Sequence, residues 1–396
     1  MAILASPTKA YSDMSKKRIL TIIGARPQII KAAALSRSIQ SLFSEQIEEI
    51  LVHTGQHYDE NMSAVFFDEL GIPQPNYNLA VGSGSHAKMT AAMLEGIEKL
   101  LVTEKPDAVV VYGDTNSTIA GALAAAKIHI PVVHIEAGLR SFNKSMPEEL
   151  NRISCDHMST LLFVPTQAGL ENLRNEGFSM EHKAQASIDF PHVYHCGDVM
   201  YDNSLYFSEI SSKKSKILEK LGLVCGAFIL CTIHRDSNTD DPKALEQIFE
   251  ALLAIIERAG KQIVLPIHPR TQQKMQQLLP AELLERIESN PKLQLIEPAG
   301  FLDIIALEKN AQLIITDSGG LQKEAYFFEK PCIILRLQTE WVEIVETGAA
   351  LLTGADQTKI LAAFEHFSNG HTCVYPPLFG DGKAAQFICD KIISDL

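Results

Sequence analysis

Two short β-branched runs in this chain each end on an acid. Asp114 follows residues 109–112 and Glu136 follows residues 132–135. A third acidic site, Glu148-Glu149, comes directly after Pro147, where the pattern predicts a helix start. In a parallel sheet the carboxyl ends of the strands open onto one side, so acids placed there converge on one ligand. Converging carboxylates suit proton transfer or metal binding. Each acid also has a plain alternative: Asp114 could cap the helix that begins near Thr115, and Glu148 could pair with Arg152 one turn on. With all three at strand or helix ends in one segment, a site is the better reading.

Other residues add anion chemistry. Residues 18–23 predict a buried strand, followed by G-A-R-P-Q-I-I-K and a helix to about residue 42, with Pro27 in its first turn. That order brings backbone amides, Arg26 and Lys31 to the sheet's carboxyl edge, where an anion could sit. Thr316-Asp317-Ser318-Gly319-Gly320 closes another strand and opens another helix. Ser318 can cap it, and the paired glycines let a phosphate approach the amides at the positive end of the dipole. Glu324, a turn or two further on, could reach ribose hydroxyls. His234 and Arg235, at the end of a strand over 227–232, suit contacts to the same diphosphate.

The elements that must position these groups alternate β and α throughout. Strands are expected at 48–53, 107–112, 132–135, 161–164 and 193–196, then at 262–266, 293–296, 313–315 and 331–335. Helices are expected near 59–69, 86–104, 166–175 and 243–259. The stretch P-N-Y-N-L-A-V before Gly82 reads as loop, and the G-S-G-S-H-A that follows as a helix cap rather than a dinucleotide fingerprint. Residues 208–220, polar and lysine-rich, should carry the chain outward. The architecture expected is α/β: two Rossmann-like parallel-sheet domains facing a central cleft. The expected divisions are an extension over 1–17, domains at 18–197 and 198–377, and a final helix at 378–396 packing back toward the first domain.

At 396 residues the chain exceeds what one core usually serves. A net charge of −13 argues against a nucleic-acid surface, though a local basic pocket for an anionic metabolite is compatible with it. Seven scattered cysteines without a C-x-x-C pair disfavour a disulfide framework or zinc site and fit a reducing cytoplasm. No run approaches a membrane span, so no membrane insertion is expected.

Taken in order, G-A-R-P-Q, Y-G-D-T, H-I-E-A-G-L-R, M-P-E-E-L-N-R, T-I-H-R, T-D-S-G-G-L-Q-K-E and G-D-G-K-A resemble the UDP-N-acetylglucosamine 2-epimerase family. The resemblance runs from about residue 19 to the C-terminus. It implies a glycosyltransferase-B type fold, a homodimer, a UDP-sugar substrate, and inversion at C2 with neither metal nor cofactor. It makes Asp114, Glu136 and Glu148 the carboxylates at the sugar, with Arg26 and Lys31 at the sugar–diphosphate side. His234, Arg235, Ser318, Gly319 and Gly320 would hold the diphosphate, with His234 also counted among the catalytic groups. Glu324 would take the ribose, and Arg336 matches the family's arginine of the second domain.

There are departures. Gln28 stands where many members have Glu, and Thr339–Glu343 reads T-E-W-V-E rather than T-E-R-P-E. Tyr58 and Asp59 follow Gln56-His57 where activated members carry Arg and Gln. G-A-R-P-Q, V-M-Y-D and T-E-W-V-E are closer to the branch acting on UDP-2,3-diacetamido-2,3-dideoxyglucuronate. That substrate's extra carboxylate needs a cation or donors, for which Arg140 with Ser141 and Asn143, or His268 with Arg270, are the candidates. The Arg140–Asn143 loop is preferred because it joins two of the acid sites, although Arg140 could instead only order the loop. The alternatives are a hydrolysing relative that releases free sugar and UDP, and a glycosyltransferase on the same fold.

Overall fold

Runs such as A-V-V-V-Y and L-I-I-T bury every residue, as strands covered on both faces must. The computed structural model describes residues 16–55, 71–370 and 372–396. The helix expected near 59–69, the Gln56-His57-Tyr58-Asp59 stretch and residues 1–15 of the expected extension lie outside them. Lys17, assigned above to that extension, opens the first strand instead. The chain divides into two compact units, residues 1–202 with 379–396, and residues 203–378.

In the first unit the strands are β1 (Lys17–Ile23), β2 (Ile47–His53), β3 (Tyr77–Asn78), β4 (Ala108–Tyr112), β5 (Val132–Ile135), β6 (Leu161–Val164) and β7 (His192–His195). They form one sheet in the order β3-β2-β1-β4-β5-β6-β7, and every pairing is parallel. The order reverses direction between β1 and β4. At such a switch point two neighbouring strands send their connections to opposite faces, and a crevice opens at their carboxyl ends. Helix Asn116–Lys127 packs close to this point because its inner face is small: Ala120, Ala124 and Ala125 are buried, and a Cβ on Gly121 would lie 3.0 Å from Val111.

β3 corrects the loop reading of P-N-Y-N-L-A-V. Asn76 supplies what a strand residue would: its Oδ1 accepts from Leu51 N at 2.8 Å, and its own N–H donates to Leu51 O at 2.8 Å. This ties two more residues onto the edge of β2. Helix Ala384–Asp395 belongs to the first unit, where the Asp202 carboxylate accepts from Ala384 N and Ala385 N at 3.1 and 2.8 Å.

The second unit contains β8 (Phe228–Thr232), β9 (Gln262–Pro266), β10 (Leu293–Ile296), β11 (Leu313–Thr316), β12 (Cys332–Ile334) and β13 (Ala350–Leu352). Their order is β10-β9-β8-β11-β12-β13, again all parallel, with the switch point between β8 and β11. Helix Pro242–Ala259 shows why the local pattern folds. Asp241 caps it, Pro242 enters at its first turn, and Gly260 ends it in a left-handed conformation. Leu245, Ile248, Phe249, Leu252, Ile255 and Ile256 recur at helical spacing and are buried.

The outward linker expected over 208–220 is instead the end of helix Val199–Lys214 and a short helix Ile217–Leu221. The polar residues there are absorbed locally: Ser212 Oγ donates to Ser208 O at 2.7 Å, and Ser211 Oγ donates to Leu302 O at 2.6 Å. Serine satisfied in this way is compatible with a buried helix face. Among the described residues no helix is long and apolar enough to cross a membrane.

Candidate active site

At the switch point of the first sheet, β4 is followed by Gly113 and Asp114. Thr115, not Asp114, caps the following helix, its Oγ1 accepting from Thr118 N at 3.4 Å. That leaves the Asp114 carboxylate for an ion pair with Arg152. Burial raises the pKa of Asp114. Arg152 and Lys31 pull it back, while Glu136 and Glu148 add to the rise. A carboxyl whose charged form is disfavoured in this way is suited to taking and giving a proton.

Glu136 follows β5 with φ +71°, a left-handed backbone rarely tolerated by a side-chain-bearing residue. Its carboxylate pairs with Lys31. Gly113, at φ +59°, makes room for that pair: a Cβ there would lie 3.0 Å from Glu136 Oε2 and 3.2 Å from Lys31 Nζ. The strain at Glu136 and the glycine beneath it therefore serve one arrangement, three charged groups around the end of β4.

Helix Pro147–Asp156 carries the third acidic site and splits it in two. Glu148 is exposed, whereas Glu149 is buried. Glu149 accepts from Ser141 N and Phe142 N, both at 2.9 Å, and from Arg152 Nη1 at 2.9 Å. Arg152 thus pairs with Glu149 and Asp114, so the alternative of a Glu148–Arg152 pair is replaced. Asn151 Nδ2 donates to Asp114 O at 2.9 Å and fixes the helix to the strand end.

Arg140, preferred above as the partner of a uronate carboxylate, is committed elsewhere. Its Nε and Nη2 donate to the two oxygens of Glu176 at 2.7 Å each, and Nη1 reaches Leu139 O at 2.7 Å and Asp156 at 2.8 Å. A bidentate pair on a buried guanidinium is not surrendered to a ligand without large cost. The structure gives Arg140 the loop-ordering role. Asp156 also holds His134 Nδ1 at 2.7 Å, and His134 Nε2 lies 2.8 Å from Gly113 O. A chain of contacts therefore runs from the exposed Glu176 through buried Arg140, Asp156 and His134 to the peptide before Asp114. Sequence reading missed His134 and Asp156 as parts of this arrangement, because a histidine inside a β-branched run looks like core.

Arg26 is exposed at the start of helix Arg26–Ser38. The amides of Gly24 and Ala25, expected to be open to an anion, instead donate to Gln28 Oε1 at 2.9 and 3.1 Å. Gln28 Nε2 donates to Tyr112 O and Thr118 Oγ1, both at 3.0 Å. Its departure from Glu has a physical basis, since only an amide both accepts and donates here.

In the second unit β8 and β11 end side by side. Asp317, fully buried, accepts from His234 N (3.0 Å), Arg235 N (3.0 Å) and Asn238 Nδ2 (3.0 Å), and its Oδ1 lies 2.9 Å from His234 Nδ1. Burial works against the charge, but the His234 ring and these donors outweigh it and hold Asp317 below the usual carboxylate range. Asp317 is a third residue that sequence reading passed over, although it stands in the T-D-S-G-G motif. It shapes the turn that presents His234 and Arg235, both exposed.

Ser318 caps helix Gly319–Phe327, its Oγ accepting from Leu321 N at 3.4 Å. A Cβ on Gly319 would lie 2.4 Å from Glu340 Oε1, whose partner is Arg336 at 2.9 Å. Gly320 is exposed, and Glu324 is half-buried on the same helix. Trp341, the unusual residue of T-E-W-V-E, donates from Nε1 to Gly319 O at 3.1 Å and lies under Lys323 Nζ at 4.2 Å. His268 is exposed and caps helix Pro269–Leu278, while Arg270 pairs with Asp236 and Asp240. Among the described residues no three His, Cys, Asp or Glu side chains are grouped as metal ligands.

A profile of the family described as UDP-N-acetylglucosamine 2-epimerase matches residues 41–393. The chain belongs to this family. It is 47% identical over 376 residues to a UDP-N-acetylglucosamine 2-epimerase homolog of Methanococcus maripaludis, covering 95% of this chain and 99% of that one. It is equally 47% identical, with the same coverage, to the UDP-2,3-diacetamido-2,3-dideoxy-D-glucuronate 2-epimerase of Pseudomonas aeruginosa. The crystal structure of the Methanocaldococcus jannaschii UDP-GlcNAc 2-epimerase, in complex with UDP-GlcNAc and UDP, superposes with a TM-score of 0.79 at 40% identity, covering 95% and 99% of the two chains. The fold is thus two parallel-sheet α/β domains of the glycosyltransferase-B type, as other members of the epimerase family have.

Proposed function

We propose that this chain inverts C2 of a UDP-linked 2-acetamido sugar by eliminating and re-adding UDP. The C2 proton is not next to a carbonyl, so direct removal is difficult. Breaking the C1–O bond to UDP gives C1 oxocarbenium character and acidifies the C2–H. Loss of that proton forms a C1=C2 bond and leaves UDP and a 2-acetamidoglucal. Re-addition of UDP with proton delivery to the opposite face yields the manno epimer. The chemistry requires acid/base groups for two faces of the sugar and donors for the departing diphosphate.

The observation that carries this reading is the cluster at the end of β4. Asp114 is raised by burial, Glu136 is backed by Lys31, and Glu148 is exposed on the adjacent helix. In this reading these three act at the sugar, with Arg26 and Lys31 serving its diphosphate side. Ser318, Gly319 and Gly320 with His234, Arg235 and Arg336 hold the diphosphate, and Glu324 takes the ribose. The second unit's switch point, a capped helix start with two glycines, supports this assignment. The protein would work as a cytoplasmic homodimer supplying a polysaccharide pathway.

For the sugar we favour the diacetamidoglucuronate, on the 47% identity to the Pseudomonas enzyme and on Trp341 in T-E-W-V-E. With Arg140 spent on Glu176 and Asp156, Ser141 Oγ and the Asn143 amide become the donors for the C5 carboxylate. The test is NMR of the purified protein with one UDP-sugar in deuterated buffer, comparing the two nucleotides. Deuterium entering C2 without any acceptor supports epimerisation. Turnover only with an acceptor would establish a transferase, and release of free sugar a hydrolysing enzyme. Faster turnover of UDP-N-acetylglucosamine would refute the substrate assignment.

A further inference from the structure

The carbonyls of three consecutive residues at the end of β4 are each taken by a side chain. Tyr112 O accepts from Gln28 Nε2 at 3.0 Å and from Thr118 Oγ1 at 2.7 Å. Gly113 O lies 2.8 Å from His134 Nε2, and Asp114 O accepts from Asn151 Nδ2 at 2.9 Å. The peptide entering Asp114 is thus held by His134, and the peptide leaving it by Asn151. Each peptide is a rigid plane, so fixing both leaves the residue between them little backbone freedom.

Of these donors only His134 can carry a charge. Its ring is fully buried, and so is Asp156. Nε2 faces a carbonyl, which can only accept, so this nitrogen carries a proton. Nδ1 lies 2.7 Å from Asp156 Oδ1, a second contact that needs a proton. Asp156 Oδ2 already receives Gly138 N at 3.1 Å and Arg140 Nη1 at 2.8 Å. An amide and a guanidinium there favour the ionised carboxylate, so the proton between acid and ring belongs to the ring. His134 is then an imidazolium, paired as a buried charge must be. The titratable groups beside it are Cys155 and Asp156, on the helix that also carries Asn151, with Arg140 behind Asp156. Burial opposes the charge, but Cys155 and Asp156 outweigh it and lift His134 well above the ordinary imidazole range.

We propose that His134 is a positioning residue: its imidazolium, held by Asp156, donates to the Gly113 carbonyl and sets the direction in which Asp114 meets the sugar. This role rests on the reading of Asp114 as an acid/base group there. A charged donor makes a stronger bond than the amides of Gln28 and Asn151 can. The contacts that join Arg140 to Asp156 thereby gain a consequence at the reacting carboxylate.

The first arm of the test needs no substrate. In the wild-type protein, NMR of nitrogen-labelled histidine should show the His134 ring with both nitrogens protonated from about pH 6 to about pH 9, a range in which an ordinary imidazole loses its proton. A His134 ring that is neutral at the upper end would overturn the held proton.

The second arm separates the two contacts of the ring. His134→Gln places an amide donor near the position of Nε2 and gives up Asp156. His134→Asn reaches only as far as Nδ1, so it keeps Asp156 and leaves Gly113 O without this donor. Deuterium exchange at C2 of the UDP-sugar then reads catalysis. H134N should lower kcat by about tenfold or more, the scale of one lost hydrogen bond to a charged group, with KM within about threefold of wild type. H134Q should recover most of that loss. Equal kcat in H134N and wild type, or equal losses in the two variants, would overturn the positioning role. A wild type that exchanges no C2 hydrogen overturns the epimerase reading and the role toward Asp114 with it, whereas the first arm reads the held proton by itself.

Discussion

Replacing Arg152 with methionine removes one cation from two carboxylates at once, and the two consequences can be measured separately. Glu149 is the structural partner: its side chain is 1% exposed, against 14% for Arg152. Removing one member of a buried pair costs about 3–5 kcal/mol, and the lower end applies here because Glu149 keeps the Ser141 and Phe142 amides. A loss of about 3 kcal/mol corresponds to a fall in Tm of roughly 6–12 °C for a unit of this size. Asp114 is the chemical partner, and Arg152 is the strongest charge opposing its rise. An opposite charge this close favours the ionised carboxylate, so its removal raises the Asp114 pKa further. The limb of the pH profile of kcat/KM that Asp114 governs should therefore move to higher pH. Glu149→Gln is the control. It weakens the 141–142 loop but leaves the Arg152–Asp114 pair, so Tm should fall and the pH limb should stay. If both limbs of Arg152→Met coincide with those of wild type, or move to lower pH, Asp114 is not the group that titrates in catalysis.

Asp114→Asn, Glu136→Gln and Glu148→Gln should each lower turnover by about 10² or more, and E148Q, at an exposed position, should do so without moving Tm; near-normal kcat in any one removes that residue from the mechanism. Gln28→Glu would bring a carboxylate against Tyr112 O in place of an N–H donor, destabilising the first unit by about 1–3 kcal/mol, and an unchanged urea midpoint would refute that account. Asp317 has a depressed folded pKa, so its stabilisation is present above the unfolded value and is lost as pH falls through the folded one. Asp317→Asn should therefore flatten the acid-side loss of stability below about pH 4 and weaken UDP binding, and a Tm–pH curve parallel to wild type would contradict the pairing. Glu176→Gln loosens Arg140 without deleting it and should leave the preference between the two UDP-sugars unchanged; a changed ratio of kcat/KM would return Arg140 to the substrate.

Much of this protein is legible locally. The strands carrying the site are runs of β-branched residues, so residues 109–112 and 132–135 fall within their observed strands, and the acids that follow them stand where a parallel sheet must end. Caps and glycines are local too, which is why the sequence places Ser318 and the Gly319-Gly320 pair at a helix start. Partnerships were not legible. Glu148 and Glu149 are adjacent and identical in type, and only the fold turns one outward and buries the other on Ser141, Phe142 and Arg152. Arg140 looked like an open cation because Glu176 is 36 positions away, and pairing across that distance depends on how helix Gln167–Asn175 returns to the sheet. β3 escaped notice because two residues have no period, and its pairing rests on a side chain, Asn76, that completes the ladder. Periodicity and capping are set by neighbours within one turn of the chain, so sequence alone determines them. Which charges are neutralised, and which remain for a substrate, is decided by burial and by contacts between distant segments, and only the tertiary structure holds that information.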